Sequence, residues 1–200
     1  MKTPTDEQLL ADHLRNRPDA FELLVRRHSE ELYRFALRFT NNSMAAEDVV
    51  QETLLQVYRS AASFDAARRF KPWLFTIAAN KARDWLRGRS RHMAVSLDAQ
   101  IDGGDEHGEK TFLDLLATDT ADRGDELEFE EKRRIVRGVV DQMPATLREA
   151  LVLAYYHRFA YKEISEVLDI PVGTVKSRLH AAVGFFGKMY QGQALEAMDQ

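Results

Sequence analysis

Residues 161–179 read YKEISEVLDIPVGTVKSRL, and this stretch decides how the C-terminal part of the chain folds. Apolar residues recur at three- and four-residue steps on both sides of a short interruption, which predicts two short helices, Tyr161–Leu168 and one from Thr174 onward. Pro171 and Gly173 are expected to end the first helix and to let the chain turn before Thr174 caps the second. Two short helices joined by a tight turn are typical of the helix-turn-helix motif.

The second helix of this motif carries polar residues that suit DNA. In a helix-turn-helix, the second helix enters the major groove and its early residues reach base edges. Lys and Arg bind phosphates or the acceptors of guanine. The candidate DNA-binding residues are Thr174, Lys176, Ser177, Arg178 and His180, with Lys162 from the preceding helix. From spacing alone, an ordinary helical hairpin with a solvated basic face stays equally open.

Helical periodicity also runs through the rest of the chain. Residues 5–8 (TDEQ) and 146–149 (TLRE) have the capping-box pattern of a helix start. Ser43 is expected to cap a helix after an Asn-Asn interruption, and Pro72 opens a helix that extends towards Arg91. No segment alternates with period two, so we predict an all-α chain of two small helical domains.

Charge is distributed unevenly along the 200 residues, whose formal net charge is −4. Residues 1–95 carry 16 basic and 12 acidic side chains (net +4), residues 96–131 carry 2 and 13 (net −11), and residues 132–200 carry 10 and 7 (net +3). Low hydrophobicity with high like charge cannot bury enough area to offset the entropy of ordering. We therefore predict domains over 1–95 and 127–200, joined by a flexible acidic linker over 96–126.

Several classes of protein are disfavoured by composition. The chain has no cysteine, which excludes disulfides, thiolate metal sites and cysteine nucleophiles. The sequence has no uninterrupted run of 18 apolar residues that could span a membrane. Its N-terminus lacks the basic-then-apolar order of a signal peptide, so a cytoplasmic location is expected. There is no Gly-rich phosphate loop, and the six histidines are scattered. We expect no catalytic residues, no metal ligands, no cofactor and no enzymatic activity.

A second basic stretch, from Phe64 to Arg91, interleaves cationic and aromatic residues. Bases removed from a duplex need stacking surfaces and a positive groove, and each stacked base contributes about 1–3 kcal/mol. Aromatic residues at helical spacing are more often part of a core, and Trp73 is interpreted as mainly packing. The loop over Phe64–Lys71 and the basic end of the following helix are the better candidates.

Three blocks in combination resemble the extracytoplasmic-function (ECF) group of bacterial RNA polymerase sigma factors, within the sigma-70 family. The blocks are residues 46–53 (AEDVVQET), 70–75 (FKPWLF) and 171–179 (PVGTVKSRL). The resemblance covers about residues 6–91 and 127–188. It implies a protein that binds core polymerase, recognises and melts the −10 element with a region 2-like N-terminal domain, and reads the −35 element with a region 4-like C-terminal domain.

The resemblance also assigns partners and residues. The implied partners are promoter DNA, the β′ clamp helices and β flap of core polymerase, and an anti-sigma factor. The residues implied for core binding are Glu47, Asp48, Gln51, Glu52 and Leu55. Those implied for the −10 element are Arg68, Arg69, Phe70, Lys71, Asn80, Arg83, Asp84, Arg87 and Arg91. Asp84 could instead be a plain ion-pair partner of Arg87.

One departure from the family pattern concerns the −35 contact. Many members have arginines at the positions of Ala181 and Val183, and each lost phosphate contact lowers the salt dependence of binding by up to about one unit of slope. Either the contact is weaker here or other cations supply it, for which the candidates are Arg148, Arg158, Lys162 and Lys188. Two other readings stay open, a stand-alone helix-turn-helix regulator and a sigma-like mimic that titrates an anti-sigma factor.

Overall fold

A computed structural model of the chain describes residues 3–92 and 126–198, with side chains over 3–88 and 134–190. Every regular element in these ranges is helical. The chain divides into two compact units, with the main break between Ser96 and Leu97. The prediction of an all-α chain with two helical domains is confirmed. The acidic linker predicted over 96–126 lies outside the described residues, apart from Glu126.

Over residues 3–92, the structure gives the first unit four α-helices. They are α1 (Asp6–Leu14), α2 (Ala20–Thr40), α3 (Ser43–Ser60) and α4 (Phe70–His92), with a 3-10 turn over Ala61–Ser63. The capping box of α1 forms as predicted: the Gln8 amide donates to Thr5 Oγ1 over 3.2 Å, and the Thr5 amide donates to Gln8 Oε1 over 2.9 Å. These two bonds satisfy two of the amides that a helix start leaves without an intrahelical acceptor.

The break between α2 and α3 corrects one predicted cap. Asn41 adopts a left-handed conformation, with φ of 51°, and ends α2. Asn42 is then extended, and its side-chain oxygen accepts the Ala45 amide over 2.8 Å. Ser43 is therefore the first residue of α3 and not its cap. The left-handed position falls on Asn41 because Asn tolerates it better than most residues, and this moves the cap to Asn42.

The core of the first unit lies where α2 packs against α3 and α4. The Phe35 ring is fully buried, with its centroid 5.4 Å from Phe39 and 5.3 Å from Phe75. Helix α3 contributes its buried Val49 and Val57 to this core. Because these residues share one side of α3, its opposite side faces outward.

Within residues 126–198, the described part of the second unit, there are another four α-helices. They are α5 (Glu126–Gln142), α6 (Ala145–Leu151), α7 (Tyr161–Leu168) and α8 (Val172–Met198), with a π turn over Val152–Tyr156 after α6. Its main apolar cluster joins α5, α6 and α8. The buried members of that cluster are Val136, Val139, Val140, Met143, Leu151, Ala182, Val183 and Phe186.

Helix α6 does not begin as its sequence predicts. Pro144 occupies the cap position and makes no side-chain capping bond. Thr146 is already the second helical residue, so the capping box predicted over 146–149 is wrong. Glu149, which that pattern would place at the surface of a helix start, is instead buried with 5% exposure.

The turn of the helix-turn-helix also differs in detail. Asp169, directly after α7, takes the left-handed conformation with φ of 53°. Ser165 closes the turn from inside α7, because its carbonyl accepts the Ile170 amide over 3.1 Å and its hydroxyl donates to the Ile170 carbonyl over 2.5 Å. Helix α8 begins at Val172, two residues before the predicted Thr174 cap. Gly173 therefore lies in the first helical turn, and the reversal rests on Asp169, a residue type that tolerates this conformation.

Candidate nucleic-acid and partner interfaces

The outward side of α3 collects the five residues predicted to bind polymerase. Glu47, Asp48, Gln51, Glu52 and Leu55 are all exposed, Leu55 at 47%. They recur at three- and four-residue steps and therefore share one face, which we call the α3 face. Glu52 is paired with Lys81 of α4, with 3.1 Å between its Oε2 and Nζ. The α3 face is thus acidic towards the N-terminal end of the helix and carries an exposed apolar residue at its other end, a combination that suits a partner with basic and apolar surface.

Tyr58 extends the α3 face, which sequence spacing did not anticipate. Its position in the helical repeat favours a buried stripe with Val57, yet its side chain is 54% exposed. The ring packs edge-on against Phe21 of α2 at 5.2 Å, and lies 4.9 Å from the His13 ring of α1. Partial packing at the edge of the helix interface leaves the outer half of the ring open.

The loop before α4 contains both exposed and buried members of the set that the sequence analysis proposed for the −10 element. Arg68 and Arg69 are exposed, as DNA contacts require. Phe70 is only 1% exposed, with its ring 5.5 Å from His28 and 5.8 Å from Trp73. A ring enclosed in this way offers no face to a base in this structure, so the contact of Phe70 with the −10 element stays a prediction that its burial does not favour. Phe70 anchors the start of α4 instead.

Two partly exposed aromatic residues beside this loop are better placed for stacking. The rings of Phe64 and Trp73 lie 4.9 Å apart and are both half-buried. Trp73 therefore combines packing with partial exposure, whereas its helical spacing alone favours packing only. Base stacking needs exposed aromatic surface next to positive charge, which Arg68 and Arg69 provide.

The polar residues of α4 form a row with internal contacts. Arg83 Nη1 donates to Asn80 Oδ1 over 3.0 Å, and Asp84 is paired with Arg87. The ion-pair reading of Asp84 is the geometry observed.

Lys71 is held by Glu31 of α2, with 2.6 Å between Nζ and Oε1. Asn80, Asp84 and Arg87 are exposed and Arg83 and Lys71 are half-buried, while the Arg91 side chain lies outside the described residues.

The start of α8 presents most of the residues predicted to read the −35 element. Lys176, Ser177 and His180 are exposed, and so is Lys162 on α7. Thr174 is half-buried, and its carbonyl accepts the Ser177 hydroxyl over 3.0 Å. The exposed polar side of α8 is therefore its N-terminal part, the part of a recognition helix that reaches base edges.

Arg178 differs from its neighbours because it is tied to the protein interior. Its Nη1 donates to Glu149 Oε1 of α6 over 2.8 Å, and the two side chains are 24% and 6% exposed. Sequence reasoning missed Glu149, since a carboxylate three residues after Thr146 fits a capping box. The ion pair fixes Arg178 against α6, and its exposed fraction remains available to a ligand.

The cations considered as substitutes for missing arginines fall into two groups. Arg158, Lys162 and Lys188 are exposed. Arg148 is 8% exposed, and its Nη1 donates to the Asp141 carbonyl over 3.2 Å. Burial lowers the pKa of Arg148, which the Asp141 carboxylate partly opposes. A guanidinium enclosed in this way cannot reach a phosphate, so Arg148 is excluded as a substitute.

The departure at Ala181 and Val183 has a packing counterpart. Val183 is 7% exposed and belongs to the apolar cluster of the second unit, whereas Ala181 is half-buried. In this chain position 183 serves the core. Phe186 does so as well, since it is 1% exposed and stacks on Tyr190 at 5.5 Å.

Within 3–92 and 126–198, no three His, Asp or Glu side chains are grouped so that they could hold a metal ion. No helix in this described part of the chain is long and apolar enough to cross a membrane.

Two family models match the chain, one in each unit. Residues 24–92 match Sigma-70 region 2, a range that holds most of α2 and all of α3 and α4. Residues 133–184 match Sigma-70, region 4, which covers most of α5 and runs into α8.

Curated relatives match over most of their length. The RNA polymerase sigma-H factor of Pseudomonas aeruginosa is 31% identical over 192 residues, which are 96% of this chain and 97% of the relative. The ECF RNA polymerase sigma factor SigW of Bacillus subtilis is 32% identical over 162 residues, 81% of this chain and 84% of the relative.

Solved structures show the same fold. CnrH, in complex with the cytosolic domain of CnrY, has a TM-score of 0.63 at 24% identity and covers 98% of this chain and 99% of its own. The sigma factor RpoE of Bartonella quintana, in complex with the anti-sigma factor NepR, also has a TM-score of 0.63, at 21% identity, and covers 86% of this chain and 98% of its own. Together with the near-full-length relatives, these matches show that the chain belongs to the sigma-70 family of RNA polymerase sigma factors, in its extracytoplasmic-function group.

Proposed function

We propose that the chain binds core RNA polymerase and directs it to promoters with two spaced elements. The observation that carries this function is the pairing of two helical units, each matched to a sigma-70 region. Residues 1–95 bind core, read the −10 element and open the duplex. Residues 127–200 read the −35 element, and residues 96–126 link the two.

Core binding is assigned to the α3 face, on the β′ clamp helices. Exposure of all five of its residues supports this role, because a docking face must be open in the free protein. Leu55 supplies exposed apolar surface at one end of the face, and Glu47 and Asp48 supply acidic charge at the other end. Charge at the edge of an interface mainly governs orientation and the rate of association, while a desolvated apolar centre governs the lifetime of the complex. The β flap is the partner we assign to the second unit.

The DNA contacts divide by chemistry. Arg68 and Arg69 supply positive charge beside the partly open rings of Phe64 and Trp73, where an unstacked base of the −10 element would lie. Extruding a base costs a few kcal/mol, which stacking offsets. Lys176 and the outer part of Arg178 suit phosphates or guanine in the −35 major groove.

Promoter binding is expected to require core polymerase, because each small unit alone would bind DNA weakly. Two tethered modules bind one promoter with high effective concentration only when their spacing is fixed. Core polymerase would fix it. We further propose an anti-sigma factor as the regulator, which would act by covering the α3 face, and a cytoplasmic location beside the polymerase.

The decisive experiment is transcription in vitro by cognate core polymerase on fragmented genomic DNA, with and without this chain. We expect new starts that share two spaced elements. Leu55→Glu should abolish them by weakening core binding, whereas Leu23→Glu is the matched control, because Leu23 is equally exposed (45% against 47%) but lies on α2 outside the α3 face. No starts together with no core binding by the wild-type chain would refute the proposal.

A further inference from the structure

Helix α1 lies outside the part of the chain that matches Sigma-70 region 2, which begins at residue 24. It is nevertheless fixed to α2 by one carboxylate. Asp6 Oδ1 lies 2.5 Å from Arg27 Nη1, and Asp6 Oδ2 lies 2.9 Å from Nε2 of the buried His28. Nη1 and Nη2 of Arg27 also each donate to the Pro4 carbonyl over 3.2 Å. The N-terminal turn of α1 therefore has a fixed place on α2.

The next residue, Glu7, reaches the start of α4. Its Oε1 accepts the Phe70 amide over 2.9 Å, a contact between residues 63 positions apart. Phe70 is the first residue of α4, so its amide is one of those that no intrahelical carbonyl can satisfy. A carboxylate at this end of a helix also interacts favourably with the helix dipole. Glu7 thus caps α4 from another helix.

The electrostatics of Glu7 agree with this geometry. Partial burial raises its pKa, but the hydrogen bonds from the Phe70 amide, its own amide and the Thr5 hydroxyl, together with the charge of Arg69, lower it overall. The carboxylate is therefore ionised at neutral pH, the state in which it accepts the Phe70 amide most strongly.

The contact restrains the loop that carries Arg68 and Arg69. Glu7 holds the backbone of Phe70, and burial of the Phe70 ring against His28 holds its side chain. The end of the loop is thus fixed at two points, and Arg69 directly precedes the capped amide. Loss of the cap would release the backbone of this end while leaving the ring buried.

We propose that Glu7 is a positioning residue for promoter opening: by capping α4 from α1, it fixes the loop that presents Arg68 and Arg69 to the −10 element. The inference rests on the proposed function of that loop. Glu7 itself need not touch DNA.

The test compares holoenzymes carrying Glu7→Ala, Glu7→Gln and, as control, Gln8→Ala. Strand opening is followed by permanganate reactivity at a promoter identified by the transcription assay, with saturating chain. We expect the Glu7→Ala holoenzyme to open the promoter about tenfold more slowly, because the free energy of one lost helix cap corresponds to a factor of about ten. Glu7→Gln should recover most of the rate because its amide oxygen can still accept. Gln8→Ala removes the reciprocal capping bond of α1 without touching α4 and should open at the wild-type rate.

Two further readouts separate positioning from general stability. Affinity for core should stay unchanged for Glu7→Ala, and exchange of the Phe70 amide should accelerate about tenfold in the free chain. Three results would each overturn the positioning role while leaving the sigma activity of the wild type intact. They are promoter opening by Glu7→Ala at the wild-type rate, equal slowing of opening by Gln8→Ala, and a loss of core affinity in Glu7→Ala that parallels its slower opening. A wild-type chain that yields no starts would instead overturn the proposed function, and this role with it.

Discussion

The ion pair between Arg178 and Glu149 predicts an asymmetry between its two partners. The carboxylate is 6% exposed and the guanidinium 24%. Arg178→Met leaves the Glu149 carboxylate in the interior without the guanidinium that neutralises it. Glu149→Leu leaves a guanidinium that can turn towards water. We therefore expect Arg178→Met to be the more damaging change.

The magnitudes follow from what each change leaves behind. Loss of one partner from a buried pair costs about 3–5 kcal/mol when the other charge stays buried. We expect about 3 kcal/mol for Arg178→Met and about 1 kcal/mol for Glu149→Leu, because the exposed fraction of Arg178 lets it regain solvent. For a domain of this size, each kcal/mol lowers the melting temperature by about 4–8 °C. Arg178→Met should thus lower it by at least about 12 °C.

The chain contains an internal control for this experiment. Its two tryptophans, Trp73 and Trp85, both lie in α4 of the first unit. Tryptophan fluorescence therefore reports the first unit, whereas calorimetry reports both. We expect the fluorescence transition to stay where it is while the calorimetric transition of the second unit shifts or disappears. Equal damage from Glu149→Leu and Arg178→Met, or less than about 4 °C for the latter, would refute the reasoning.

Three other changes test the placement of single residues. Phe70→Ala should destabilise the first unit by about 3–5 kcal/mol, because it empties a fully buried site, and an unshifted tryptophan melting curve would contradict its role as an anchor. Ala181→Arg should steepen the salt dependence of −35 binding by about one unit of slope. Val183→Arg should instead lower the melting temperature of the second unit, since position 183 lies in its core, and an unshifted melting temperature for Val183→Arg would contradict the packing. Because the pKa of Glu7 is lowered on folding, its stabilisation is fully present above the unfolded pKa and is lost as pH falls through the folded one. The difference in melting temperature between wild type and Glu7→Gln should shrink from pH 7 to pH 3, and a constant difference would contradict an ionised cap.

Sequence periodicity predicted much of the fold, because helices and their faces depend on residues that are close in the sequence. The helix predicted over Tyr161–Leu168 has those bounds in the structure, and the capping box at Thr5 forms as predicted. The five exposed residues of the α3 face follow from the same repeat. Turns were harder. Asn41 takes the left-handed conformation although its neighbour Asn42 is the same residue type, and the turn after Tyr161–Leu168 uses Asp169, whereas the sequence pattern pointed to Pro171 and Gly173.

By itself, the sequence determined the all-α class, the helix-turn-helix and the exposed face of α3, because each depends on neighbours within about one or two helical turns. Tertiary structure alone decided which charged and aromatic residues are enclosed. Phe70 is buried because α2 and α4 meet around it, Glu149 is buried against Arg178 29 positions away, and Glu7 caps an amide 63 positions away. Contacts at such separations depend on how helices pack, and no local pattern encodes them.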